Sequence, residues 1–237
     1  MKKELNMKKS ILFASALLLP IINLSVRAGD QREVGPFHSI IVSSEIVAEL
    51  VLTKQEAIKP EFERASEDDM IIEVVDSILK IRMKTGKYKD SKLKVRIEYS
   101  RNLRMLEASG RAQIWSDEDL YLNNLTVKLF NGGEMRFNLY CDSLDATLTQ
   151  GSIIFLRGKS RALKAKVNTG GSFSGYEFET EQADVSASGG GKAKISVSRS
   201  LKASASSKGF IGYVGDPPEL DQKTTLAGEI LKTFLEE

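Results

Sequence analysis

Two stretches, LDATLTQG (residues 144–151) and LKAKVNTG (residues 163–170), decide the fold. Apolar residues alternate with polar ones in both: Leu144, Ala146 and Leu148 in the first, Leu163, Ala165 and Val167 in the second. A period of two belongs to a strand with one buried face, not to a helix. In both, glycine stands seven residues after the opening leucine. The same phrase recurs as LRMLEASG (103–110), LTVKLFNG (125–132), ADVSASGG (183–190) and LKASASSK (201–208), the last followed by Gly209. The openings are spaced by 22, 19, 19, 20 and 18 residues. Gly110, Gly132, Gly151, Gly170, Gly190 and Gly209 therefore read as structural turns that recur once per repeat.

After each turn a second alternating run begins, as in Met135 with Phe137, or Ala193 with Ile195 and Val197. A unit this short cannot bury its own apolar edge and must stack on its neighbours. An antiparallel meander and a parallel β-solenoid both suit the period. Equivalent residues returning once per repeat favour the solenoid, because in-register stacking sets leucine on leucine and glycine on glycine. The predicted fold is an all-β parallel β-solenoid, a single-stranded β-helix with coils of about 19 residues. Six such coils span roughly 29 Å at the strand spacing of about 4.8 Å. Small inward residues such as Ala146, Ala165, Ala187, Ala203 and Ala205 suit a narrow interior.

The rest of the chain divides around these repeats. Residues 29–100 hold strand-like runs such as FHSIIV, EIVAELVL and SILKIRM without the glycine landmark, and read as irregular N-terminal coils. Residues 101–218 are the regular coils, and residues 219–237 a degraded final coil or cap, with a helix over LAGEILKTFLEE as the competing reading. The first 28 residues read as a signal peptide: a basic start, the uncharged apolar run SILFASALLLPIINLSV, and small residues at Val26 and Ala28. An uncleaved anchor is the alternative. Cleavage after Ala28 removes five basic residues and one acidic, leaving 29 against 31, so the net charge falls from +2 to −2. No basic excess then speaks for nucleic acid. The expected location is outside the cytoplasm: periplasm, outer-membrane surface or secreted, with the membrane involved only through export.

With VGPFHSIIV opening the domain, SILKIRM within it, the serine–glycine coils after it, and Tyr213, Gly215 and Pro217 at its end, the chain resembles the bacterial head-GIN domain family over about residues 34–218. It departs from the family pattern where the landmark weakens, in FNGG, TQGS and SSKG. The resemblance implies a right-handed β-solenoid, exported in Bacteroidetes-like bacteria, with a suggested role as an auto-transporter adhesin. It brings no catalytic residues with it.

No constellation in the sequence specifies a reaction or a cofactor. GGGK at 189–192 lacks the spacing of a phosphate loop and is followed by strand, so Lys192 reads as a strand side chain. His38 is the only histidine, and any zinc site or serine triad built on histidine would need it; it reads as inert. Asp117, Glu118 and Asp119 could hold calcium weakly but read as a solvated loop. Cys141 is the only cysteine, which excludes an intrachain disulfide and leaves a buried apolar role or a nucleophile. Polysaccharide cleavage in the manner of a pectate lyase would need Asp142 and Asp145 to converge with Arg157 and Arg161. A groove for lipid or another apolar ligand is a further alternative. The best sign of binding is aromatic: Trp115, Tyr121, Phe130 and Tyr140 could stack on a glycan or anchor a protein partner. The expected function is that of a non-catalytic exported adhesin or cell-envelope binding protein.

Overall fold

The structure is a computed structural model describing residues 27–63, 66–84, 92–100 and 103–234. The expected signal peptide thus lies outside the described residues except for Arg27–Ala28. The N-terminal part comprises β1 (Arg27–Ala28), β2 (Arg32–Glu33), β3 (Ser39–Ser43), β4 (Ile46–Leu52), β5 (Ala57–Glu63), β6 (Met70–Val75), β7 (Ile78–Met83) and β8 (Lys92–Tyr99). The repeats form β9 (Met105–Ser109), β10 (Gln113–Trp115), β11 (Leu120–Phe130), β12 (Glu134–Leu148), β13 (Ile153–Asn168), β14 (Ser172–Ser188) and β15 (Lys192–Ser206). Then come β16 (Phe210–Val214), β17 (Glu219–Thr225) and β18 (Glu229–Lys232). The last two form a final coil where a helix over the C-terminal segment was the competing expectation.

The fold is a parallel β-solenoid. Leu106, Val127, Ala146, Ala165, Val185 and Ala203 lie in register on successive coils and form one inward column. Ile114, Met135, Ile154, Phe173, Ala193, Ile211 and Ile230 form another, on the opposite sheet. Alternation puts every second residue into a single core that runs the length of the stack. Its width is set by complementary sizes: alanines such as Ala146, Ala165, Ala187 and Ala203 recur on one sheet, while Phe137, Phe173 and Phe178 on the other are at most 2% exposed.

Each coil closes with two consecutive residues in left-handed backbone geometry, such as Gln150–Gly151, Thr169–Gly170 and Gly189–Gly190. The landmark glycines do not all occupy the same place in this turn. Gly110 is the first residue of its pair with Arg111, whereas Gly132, Gly151, Gly170 and Gly190 are second. In the last landmark copy Ser207 and Lys208 take the left-handed pair, and Gly209 follows it. The position after the pair has its own requirement: a Cβ on Gly191 would stand 2.1 Å from the Val167 carbonyl oxygen of the coil beneath. Ser152 fills that position in its coil, and its buried hydroxyl donates to the Leu129 carbonyl at 3.0 Å.

The N-terminal coils depart from chain order. β3 lies between β7 and β9, and β4 between β8 and β10, all parallel. The coil made of β3 and β4 therefore sits inside the stack, with a later-synthesised coil outside it. β5 and β6 run antiparallel to β8 and β7 and form the end layer, with Ile58, Phe62 and Met70 buried in it. Asp76 and Ser77, both at positive φ, make the two-residue hairpin that turns β6 into β7. β1 and β2 pair with β5 in turn.

Candidate binding face

Outward residues of neighbouring coils also fall into columns, so single positions along the sequence become continuous strips in space. On the sheet that starts each coil, Trp115, Arg136, Phe155, Ser174, Lys194, Gly212 and Leu231 share one column. The Arg136 guanidinium lies 5.3 Å from the centre of the Phe155 ring, and Lys194 Nζ lies 5.6 Å from that of Tyr176. Cations over aromatic faces at this range attract each other electrostatically. Two residues further along the strands, Asn138, Arg157 and Glu177 stand side by side, Arg157 and Glu177 at 2.9 Å. Beyond them Tyr121 and Tyr140 stack at 5.0 Å between ring centres and 13° between planes. Tyr121 is 72% exposed, Tyr140 and Phe155 each 38%. A groove of about 560 Å³ follows the first two of these strips, lined by Arg136, Phe155, Arg157, Tyr176 and Lys194 among others.

The aromatic residues singled out in the sequence are thus divided. Half-buried Trp115, with Tyr121 and Tyr140, belongs to this face. Phe130 is half-buried at the far end of its strand, beside the turn Asn131–Gly132 and in register with Ser109, away from the groove. Phe155, Arg136, Tyr176 and Lys194 belong to the face without standing out in the sequence. Phe155 sits between Ile154 and Leu156, which hide it in one apolar run. Its parity, opposite to theirs and equal to that of Arg136 one coil earlier, is the signal that finds it.

The remaining candidates are accounted for individually. Lys192 is exposed on its strand, in register with Ser172 and Phe210. Half-buried His38 engages the Ser39 hydroxyl, Nδ1 to Oγ 2.9 Å, at the edge of a groove of about 700 Å³ that includes Arg104 and Asn124. Asp119 accepts from the Asn138 amide at 2.9 Å and so ties the loop after β10 to the face. The Glu118 amide donates to Ser116 Oγ at 3.2 Å. Among the described residues no three acidic, histidine or cysteine groups converge as a metal set. Asp145 stands beside Lys164 on the other sheet, and Asp142 and Arg161 flank the bend between the two sheets. With Arg157 held by Glu177, the four charges needed for lyase chemistry fall at three separate places: Asp145 on the other sheet, Asp142 with Arg161 at the bend, and Arg157 on this face.

Cys141 is half-buried and packs against the core. Burial first, and the neighbouring Asp142 second, push its thiol up to about 12. Thiolate is the reacting form, so the native chain should label with iodoacetamide at pH 8 at least about a hundredfold more slowly than the unfolded chain. Equal rates in a stopped alkylation assay would show a reactive thiol instead.

A family model described as "Putative auto-transporter adhesin, head GIN domain" matches residues 36–217, from the strand phrase around Phe37 to the terminal Tyr213–Pro217 phrase. The chain belongs to the head-GIN domain family. Solved structures share the head-GIN fold. A putative adhesin from Bacteroides fragilis matches with TM-score 0.76 and 16% identity, over 87% of this chain and 96% of its own. A putative adhesin from Parabacteroides distasonis matches with TM-score 0.70 and 17% identity, over 89% and 98%. A protein of the same organism named a putative lipid binding protein matches with TM-score 0.64 and 17% identity, over 90% and 98%. At these identities the likeness is one of fold. No curated protein matches the sequence.

Proposed function

We propose that this head-GIN protein is a non-catalytic adhesion protein of the cell envelope that binds an acidic glycan along the aromatic and cationic face. The observation that carries the reading is the row formed by Trp115, Arg136 over Phe155, and Lys194 over Tyr176, with the stacked Tyr121–Tyr140 pair alongside. Flat rings set in a row, half-buried at Trp115 and Tyr176 and more open at Phe155, offer apolar platforms to sugar rings, and interleaved cations match carboxylates carried by the same polymer. Contacts of this kind are individually shallow, and affinity accumulates along the chain of the ligand. The family description names an adhesin, which favours holding over cleaving.

The test is binding to immobilised polygalacturonate, with neutral dextran as comparison. Arg136→Ala and Phe155→Ala are each expected to weaken binding about tenfold. Lys166→Ala, an exposed cation on the opposite sheet in register with Thr147 and Ser186, should leave it unchanged. Equal binding to dextran, or equal losses from all three changes, would remove the assignment of the face. Release of unsaturated sugar from the polymer would overturn the non-catalytic reading.

A further inference from the structure

The two ends of the solenoid are built differently. At the N-terminal end β5 and β6 lie antiparallel across the last parallel coil and cover it. At the C-terminal end β17 pairs with β15 and β18 with β16, and among the described residues neither has a ladder partner on its outer edge. All of β17 is exposed. Leu220, Leu226, Leu231 and Phe234 are four of the nine large apolar side chains exposed among the described residues, and all four lie on this last coil. A strand edge with unpaired amides and carbonyls beside apolar side chains is a template for another strand.

The sequence of that edge complements itself. If a second copy of β17 lies antiparallel with Gln222 opposite Gln222, then Asp221 meets Lys223 of the second copy, and Lys223 meets its Asp221. Asp221 and Lys223 both stand on the outer side, in register with Lys202 and Ser204. Leu220 and Thr224 then meet on the inner side, beneath Leu201 and Ala205. The other sheet agrees with the same axis. Gln222 and Leu231 each lie four residues from the left-handed pair Leu226–Ala227 that closes the coil, so they stand opposite each other across its interior. A twofold axis through Gln222 and Leu231 sets Leu231 against Leu231 and the Ile230 side chain against the aliphatic stem of Lys232. Parity is preserved in both sheets, inward against inward and outward against outward.

We infer that the chain forms an end-to-end twofold dimer in which β17 and β18 each pair antiparallel with the same strand of a second copy. The second copy is the occupant because the edge carries its own charge complement at the required spacing. The inference does not depend on the ligand. It has a consequence for it, since an axis perpendicular to both sheets keeps the binding faces of the two copies on the same side. Leu231 ends the column that contains Trp115, so the two columns meet at the axis as one row, about 60 Å from one Trp115 to the other.

Sedimentation equilibrium of the full chain, as processed by the cell that exports it, tests this. The native protein is expected to dimerise reversibly. Asp221→Lys should raise the dimer dissociation constant about tenfold, since two opposite-charge pairs become like-charge pairs. Adding Lys223→Asp to that variant should restore it. Gln222→Pro, which removes a ladder donor, should leave monomer. If Gln222→Pro fails to fold by circular dichroism, the charge reversal and its restoration decide alone. A monomeric native chain, an open-ended polymer, or a double variant that stays as weak as the single one would overturn the dimer.

Discussion

Gly191→Ala is expected to destabilise the protein by about 3 kcal/mol or more, while Gly190→Ala costs only about 1 kcal/mol. The two glycines are neighbours in the same turn and are needed for different reasons. Gly190 has a φ of +75° and nothing within 4 Å of the place a Cβ would take, so alanine there meets only the intrinsic penalty of left-handed backbone. At Gly191 the φ is ordinary, but a Cβ would lie 2.1 Å from the Val167 oxygen, 2.6 Å from its carbon and 3.0 Å from the Ser188 oxygen. Those atoms are backbone, so relief requires two coils to move apart. Separation interrupts the hydrogen bond from Lys192 to Gly171, 2.9 Å. Urea unfolding of the two variants measures the difference. Equal costs would mean that the turn, not coil spacing, limits substitution.

That contrast explains what the sequence can and cannot disclose. The period of the repeat follows from backbone stacking, and LDATLTQG and LKAKVNTG display it directly. Within the landmark, however, a left-handed residue and a close-approach residue are both satisfied by glycine, so Gly110, Gly190 and Gly209 look equivalent. Only the stacked coils separate their roles. The N-terminal order is hidden for a related reason: FHSIIV and SILKIRM have the alternation of strands, but alternation does not say which strand is a neighbour. The binding face is partly legible. Tyr121 and Tyr140 stand out as aromatics that carry a polar hydroxyl, whereas Phe155 is wholly apolar and is masked by the apolar run IIFL (153–156) that contains it. Its exposure depends on register with Arg136, a relation between coils and not between adjacent residues.

The inserted coil is also expected to be where the stack opens first. Ile40 is fully buried, in register with Leu79 on one side and Leu106 on the other, so it joins the end coil to the regular repeats. Ile40→Ala removes contacts to both and is expected to destabilise this junction by about 3 kcal/mol. In a stack where each coil touches only its neighbours, such a loss need not spread evenly. Trp115, the only tryptophan, pairs with Glu49 of the inserted coil and Arg136 of the next, and so reports on the junction itself. Far-ultraviolet circular dichroism is dominated by the long strands β11 to β15. In the native protein the two signals should change together with urea. In Ile40→Ala the tryptophan transition should move to lower urea than the dichroism transition. Val185→Ala, in the middle of the regular coils and also fully buried, should instead shift both signals together. Coincident transitions in the Ile40 variant would show that the whole solenoid unfolds as one unit and that the inserted coil is no weaker than the rest.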